Sequence, residues 1–233
     1  MAARPAPAAP ARTAPRVRIV PLTAARWPDL VTLFGPKGAY GGCWCMYFRL
    51  PRGPWTEGCK DGGAGNRRAL RALARAKRAP GLLAYVGKDP AGWCALAPRE
   101  EYLRLATART LKPIDDVPVW SVTCFYVARA HRRKGLTVAL LDAAAAFAAR
   151  HGARMLEGYP SAPHARWPDA YAYQGTVSAF TRAGFREAKR VSPTRAIMRR
   201  ELPPRARARR AAAPPPAPAT RTKPAPRRPS PRG

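Results

Sequence analysis

Residues 125–153 read FYVARAHRRKGLTVALLDAAAAFAARHGA, and this stretch decides the fold. It begins at the end of an apolar run, Val119 to Val127 (VWSVTCFYV), which is rich in β-branched and aromatic residues. Such a run predicts a central strand that is covered on both faces. The alanine- and leucine-rich segment from Thr137 to His151 predicts a helix, and Gly152 marks its end. A short basic turn connects the two elements.

The turn from Arg132 to Thr137 (RRKGLT) has the composition of an anion-binding site. The start of a helix leaves backbone N–H groups unpaired and carries the positive end of the helix dipole. Gly135 has no Cβ to block close approach, and Thr137 adds a hydroxyl group. The turn therefore predicts a pyrophosphate cradle, although its spacing matches neither a Walker loop nor a dinucleotide-binding fingerprint. The alternative is a solvated basic surface.

Strands and helices alternate along the rest of the chain, which indicates an α/β domain with a mixed sheet covered by helices. We expect a long aromatic, glycine-rich loop over residues 35–62. Strands are predicted at Arg16–Thr23, 82–86 and 92–97 (as a hairpin), Arg154–Tyr159 and 188–199, and helices at Arg26–Phe34, Gly65–Lys77 and Thr176–Ala183.

The stretch at 125–153 resembles the acetyl-coenzyme A signature of the GNAT N-acetyltransferase superfamily. In that family the turn is Arg or Gln, two residues, Gly, one residue, and Gly or Ala. Arg132 and Gly135 match this pattern, and Thr137 replaces the last small residue. TVSAFTRAGF at 176–185 resembles the second family motif, and the hairpin at 81–99 resembles the second and third strands. GGCWC at 41–45 and LEGYP at 156–160 make the chain most similar to unassigned bacterial members.

The resemblance implies a GNAT-like fold: a mixed, mostly antiparallel sheet with helices on both faces and a splayed central strand pair. It implies an N-acetyltransferase that uses acetyl-coenzyme A, without a metal, to acetylate an amine directly. The pyrophosphate would bind the backbone amides of Arg132, Arg133, Lys134, Gly135, Leu136 and Thr137. The pantetheine arm would pair with Phe125, Tyr126 and Val127, where one backbone N–H polarises the thioester carbonyl.

The acid–base residues are harder to assign from the sequence. An amine with a pKa of about 10 must lose a proton before it attacks. Glu157 is our first candidate for the base, and the alternative is a surface or salt-bridged glutamate. Family members often protonate the departing thiolate with a tyrosine at the position that is Phe180 here. Tyr173 is the candidate replacement, with Tyr171, Tyr159 or solvent as alternatives. Because Phe180 replaces the tyrosine of the family, a non-catalytic protein that binds coenzyme A is also left open.

The loop at 35–62 is rich in aromatic residues, and two interpretations of them are open. They close an acceptor pocket, or they fill the core beneath the loop. The residues concerned are Tyr40, Trp44, Tyr47, Phe48 and Trp55.

The five cysteines do not have the even count and regular spacing of a disulfide scaffold, so we expect reduced thiols in a cytoplasm. Cys43, Cys45 and Cys59 lie close together in the sequence, but the first two are separated by one residue and no histidine is nearby. Zinc sites usually have two to four residues between paired cysteines. We therefore expect no metal.

The net charge of +30 is shared between the domain and its ends. Residues 1–16 and 201–233 are rich in Pro, Ala and Arg, and we expect both to be disordered tails that flank an acetyltransferase domain at 17–200. Such charge also fits a nucleic-acid-binding module, which would contact phosphates with little sequence preference. No helix-turn-helix, zinc-finger or RRM signature is present. No apolar run approaches the roughly 20 residues that span a membrane.

Overall fold

The strands form one seven-stranded sheet with the predicted central strand in the middle. The structure is a computed structural model, and it describes residues 16–162 and 173–204. The strands are β1 (Val17–Pro21), β2 (Gly81–Val86), β3 (Asp89–Pro98), β4 (Trp120–Val127), β5 (Met155–Gly158), β6 (Arg186–Ser192) and β7 (Arg195–Glu201). Their order is β1-β2-β3-β4-β5-β7-β6, and only β4 and β5 pair in parallel. The prediction of a mixed, mostly antiparallel sheet is confirmed.

Helices cover both faces of this sheet, as predicted. The helices are α1 (Trp27–Phe34), α2 (Arg52–Gly58), α3 (Lys60–Ala74), α4 (Leu103–Thr107), α5 (Leu136–Arg150) and α6 (Val177–Arg182). Side chains alternate along the strands, so Leu82 of β2 packs with α5 and α6, whereas Leu83 packs with α1 and α3. Each helix layer thus buries one face of the sheet.

The central strand pair splays apart, which confirms another expectation. β4 pairs with β5 only from Trp120 to Val122, opposite Leu156 to Gly158. Beyond that point β4 continues to Val127 beside β3 alone. A register shift at this position places an extra residue, Thr123, in β4. The end of β4 therefore has a strand neighbour on one side only.

The predicted loop at 35–62 is wrong for its last part, which forms α2. Gly53 and Pro54 suggested irregular backbone, but a proline is tolerated in the first turn of a helix because its missing N–H would be unpaired there anyway. Buried Asn66 fixes the loop to this helix. Its Nδ2 donates hydrogen bonds to the carbonyl oxygens of Gly42 (3.0 Å) and Trp55 (3.2 Å).

The two predicted tails lie almost entirely outside the described residues, as does Tyr171. The predicted division of the chain into tails and a domain at 17–200 therefore stays a prediction. The remaining predicted helices and strands are found within one to five residues of their expected ends.

Gly42 provides a test of the packing beneath the loop. Its φ is +72°, and a Cβ there would lie 2.7 Å from the Cys59 carbonyl oxygen and 2.9 Å from the Gly63 Cα. We expect Gly42→Ala to lower the free energy of unfolding by about 2–4 kcal/mol, because backbone conformation and a backbone clash both oppose it. Chemical denaturation measures this change.

Gly41→Ala is the matched control, because Gly41 also has a positive φ (+54°) but has no atom within 4 Å of the added Cβ. Gly41→Ala should lower the free energy of unfolding by only about 1 kcal/mol. Equal losses for the two variants would contradict the close packing of Gly42.

Candidate functional site

The splayed end of β4 opens into a cavity of about 780 Å³, here called the β4 cavity. Eight of the nine predicted cofactor-binding residues line it: Phe125, Tyr126, Val127, Arg132, Arg133, Gly135, Leu136 and Thr137. Lys134 belongs to the same turn but not to the cavity wall. His131, Thr176 and Arg182 also line the cavity. The fold thus brings the strand end and the basic turn to one surface.

The basic turn has the geometry of an anion cradle. Gly135 adopts a left-handed conformation (φ +76°), and the space where its Cβ would lie is open. Within the described part of the chain, the backbone N–H groups of residues 133–137 donate no hydrogen bond to another protein group. The Arg132 Nε donates to the Val127 carbonyl oxygen (3.1 Å) and so ties the turn to the end of β4. Unpaired donors at the start of α5 suit a pyrophosphate.

The open edge of β4 suits an extended ligand. In an antiparallel pair, alternate backbone N–H and C=O groups face away from the partner strand. From Cys124 to Val127 these groups face the β4 cavity, because β5 has already ended at Gly158. An extended chain with amide groups can bind such an edge as an added strand would. The residues present therefore fit the arm and the pyrophosphate of coenzyme A.

A second cavity, of about 870 Å³, adjoins the first and is here called the α4 cavity. The two cavities share four wall residues: Tyr47, Phe48, Trp55 and Tyr173. Tyr47 packs edge-on against Trp55, with ring centroids 5.1 Å apart. A shared aromatic wall thus lies where the cavities meet.

The aromatic residues of the loop are divided between a cavity wall and the core, and the acceptor pocket stays a prediction. Tyr40, Tyr47, Phe48 and Trp55 line the β4 cavity. Trp44 is instead buried in the core, where its ring lies 5.8 Å from that of Trp27. The sequence does not separate these roles, because both kinds of residue are aromatic and close in the chain.

Tyr173 lies at the junction of the two cavities, consistent with its predicted place at the site. Burial raises the pKa of Tyr173 to about 12, and the neighbouring Tyr47 contributes to this rise. The hydroxyl therefore keeps its proton at neutral pH and can donate a hydrogen bond. Tyr159, an alternative candidate, is fully buried and donates to Glu157 Oε1 (2.8 Å).

Glu157 lies outside both cavity walls and is 1% exposed. Its Oε1 accepts a hydrogen bond from Arg99 Nη1 (2.8 Å), and its Oε2 accepts one from Arg199 Nε (2.7 Å). Glu157 therefore has the salt bridges of the structural alternative, and its carboxylate forms no part of either cavity wall. The carboxylate joins β5 to β7 and to the segment after β3.

Phe180 and a pair of thiols complete the surroundings of the β4 cavity. Phe180 is fully buried, and its ring lies 6.1 Å from that of Phe125. The Sγ atoms of Cys45 and Cys124 are 3.0 Å apart and both residues line the cavity. The hydrogen bond with Cys124 and burial raise the pKa of the Cys45 thiol well above its ordinary value. Sequence spacing gave no signal for this pair, because the residues are far apart in the chain.

A sequence model of the GNAT acetyltransferase family matches residues 44–166, a little more than half of the 233 residues. The chain belongs to the GNAT acetyltransferase family. It is therefore an N-acetyltransferase that uses acetyl-coenzyme A, as the signature turn predicted. A comparison with curated proteins found no match.

Several solved acetyltransferase structures resemble this GNAT chain. The PaiA N-acetyltransferase of Thermoplasma acidophilum, in complex with coenzyme A, is 12% identical with a TM-score of 0.46, over 80% of this chain and 99% of that one. The ribosomal-protein-S18-alanine N-acetyltransferase of Escherichia coli is 13% identical with a TM-score of 0.45, over 83% and 98%. An acetyltransferase of Thermus thermophilus is 20% identical with a TM-score of 0.44, over 80% and 97%. Membership of the family rests on the sequence model alone.

Residues 16–162 and 173–204 contain no helix with the length and apolarity to cross a bilayer. The same residues contain no group of three or more His, Cys, Asp or Glu side chains placed to hold a metal ion.

The buried Glu157 network provides a test of stability. We expect Glu157→Gln to lower the free energy of unfolding by about 3–5 kcal/mol, because Arg99 and Arg199 would lose their shared carboxylate. Chemical denaturation measures the loss. Glu187→Gln is the control: its pairing with Arg190 is exposed and should contribute no more than about 1 kcal/mol. Equal, small effects for both variants would contradict a structural role for Glu157.

Proposed function

We propose that this GNAT protein transfers the acetyl group of acetyl-coenzyme A directly to an amine bound in the α4 cavity. One observation carries the proposal: the β4 cavity and the α4 cavity meet at the wall formed by Tyr47, Phe48, Trp55 and Tyr173. A donor in one cavity and an acceptor in the other would lie side by side. Such proximity supplies much of the acceleration of an acyl transfer.

The donor would be held by the residues that the signature turn and β4 bring together. The backbone N–H groups of residues 133–137 and the start of the α5 dipole would bind the pyrophosphate. The β4 edge from Phe125 to Val127 would bind the pantetheine arm, and a backbone N–H there would donate to the thioester carbonyl. When bound, acetyl-coenzyme A supplies the acetyl thioester that an amine attacks.

Proton handling does not require Glu157 in this proposal. No Asp or Glu side chain of the described residues lines either cavity, whereas several arginines do. Nearby positive charges disfavour the ammonium form of a bound amine and so lower its pKa. We propose that water accepts the amine proton. Tyr173 donates a hydrogen bond at the junction of the cavities, where negative charge develops on the departing sulfur.

The nucleic-acid alternative receives no support from the residues that the structure describes. It rested on the net charge of the chain and on its basic tails, and the tails lie almost entirely outside the described ranges. The non-catalytic alternative rested on Phe180, and in this proposal Tyr173 would supply the hydroxyl that Phe180 lacks.

Ligand-dependent unfolding tests the cofactor site. Acetyl-coenzyme A at about 100 times its dissociation constant should stabilise the full chain by about 2.7 kcal/mol. For a protein of this size the melting temperature should rise by about 5–10 °C. Gly135→Glu should abolish the rise, because a carboxylate would project into the open space of the anion cradle.

Gly87→Glu is the matched control, since Gly87 has a similar φ (+63°) and open space but lies in the β2–β3 turn. It should lower stability without changing the ligand-dependent rise. A normal rise for Gly135→Glu would contradict the assignment of the turn.

Replacement of Tyr173 tests its role at the junction. Tyr173→Phe should lower kcat by about 10- to 1000-fold and leave acetyl-coenzyme A affinity unchanged, because only the hydrogen bond to developing charge is lost. The rate of amine acetylation is followed by mass spectrometry. With a pKa of about 12, Tyr173 should cause no fall in rate between pH 7 and 10, so the profile should rise as the amine loses its proton.

Tyr40→Phe is the control, because Tyr40 also lines the β4 cavity but is 70% exposed. Its kcat should remain within about threefold of the parent value. If Tyr173→Phe behaves like Tyr40→Phe, then the tyrosine is not required for transfer.

A further inference from the structure

The α4 cavity carries positive charge that is not balanced within its wall. Arg52, Arg104 and Arg195 line it, and its lining among the described residues contains neither Asp nor Glu. Other arginines of the protein, such as Arg49 and Arg99, form ion pairs with carboxylates. None of the ion pairs found among the described residues includes the three cavity arginines.

Arg104 differs from the other two cavity arginines because contacts within the protein fix its guanidinium. Its guanidinium lies 4.1 Å from the Tyr47 ring centroid and 5.1 Å from that of Trp55. Its Nε donates to the Leu50 carbonyl oxygen (3.1 Å). Its Nη2 is buried and has no hydrogen-bond partner among the described residues. These contacts hold Arg104 in place so that it adds its charge to the wall, whereas Arg52 is exposed and Arg195 is half-buried, so both can contact a ligand directly.

We infer that the α4 cavity selects an amine that carries an anionic group, either a carboxylate or a phosphate, on a mostly apolar body. Planar guanidinium groups bind both anions well. Phe48, Leu103 and Leu111 give the remaining wall an apolar part that suits the body of such a molecule. Polyamines and other multiply cationic amines would be repelled. The amine part of this inference rests on the proposed function, whereas the anion site rests on the cavity alone.

The first experiment measures binding without any reaction. Coenzyme A at saturation fills the β4 cavity, and the salt concentration is held at about 150 mM so that general attraction to a basic protein is screened. The probes are 4-ethylbenzoate and its neutral isostere 4-ethylbenzamide, with 4-ethylphenyl phosphate as the second anion. We expect the tighter anion to bind at least about 10-fold more strongly than the amide, the value of one charge-assisted hydrogen bond. The tighter of the two anions identifies the group preferred.

Arginine variants test which residues cause the preference for the anion. Arg52 is exposed and Arg195 is half-buried, and the double variant Arg52→Gln/Arg195→Gln leaves Arg104 and its aromatic contacts in place. It should reduce the preference for the anion to less than about threefold. Arg71→Gln is the matched control, because Arg71 is exposed on α3 and lines neither cavity. The control should retain the full preference.

The second experiment measures turnover on the same body. The amines are 4-(2-aminoethyl)benzoate, its carboxamide, and 4-(2-aminoethyl)phenyl phosphate, whose amino groups are distant from the charge. Acetylation is followed by mass spectrometry, and kcat/KM for an anionic amine should exceed that for the carboxamide by at least about 10-fold. In the double arginine variant this ratio should disappear, chiefly because KM for the anionic amine rises.

The outcomes separate the two proposals. The anion site is overturned if anionic and neutral probes bind equally and are acetylated equally. It is also overturned if the double variant and Arg71→Gln lose the preference for the anion to the same extent. In both cases the N-acetyltransferase proposal stands. If anions bind through Arg52 and Arg195 but no amine is acetylated by protein that binds acetyl-coenzyme A, the anion site is supported and the proposed function fails.

Discussion

The separation of β4 from β5 beyond Val122 is the constraint on which the site depends. Phe180 of α6 fills the space at the end of β5: a Cβ on Gly158 would lie 2.1 Å from its ring, and one on Gly175 would lie 2.9 Å away. The same ring contacts Phe125 on β4. Phe180 therefore packs against both strands at the point where they part, and half of the backbone groups at the end of β4 are available to a ligand. The residue that replaces the family tyrosine thus has a packing role.

Charge is distributed in this molecule so that the carboxylates stabilise the fold and the cations line the cavities. Glu157 is enclosed by Arg99 and Arg199, is not part of either cavity wall, and links β5 to its neighbours. Both cavities have arginines in their walls, and neither has a carboxylate among the described residues. In the proposed reaction this arrangement would favour anionic groups on the donor and on the acceptor. It would also make a bound ammonium group easier to deprotonate without a dedicated carboxylate base.

The part of the site that is contiguous in the sequence was predictable from it. A strand, a basic turn with Gly135 and a helix are local features, and the turn chemistry follows from the start of α5 alone. The sequence could not distinguish a catalytic base from a salt-bridged glutamate at Glu157, because its partners Arg99 and Arg199 are distant in the chain. The helix α2 was missed for a local reason: Gly53 and Pro54 are poor helix residues except in a first turn.

The sequence by itself indicated the fold family and the donor, through its resemblance to the family signature, and it predicted the residues of the cradle, because the strand, turn and helix that form it are contiguous in the chain. Only the tertiary structure decided which aromatic residues line a cavity, where Tyr173 lies, and that three arginines from separate segments share one wall. The physical reason is that side chains from α2, α4 and β7 meet only when the sheet and its helices have packed, and no periodicity within any one segment encodes that meeting.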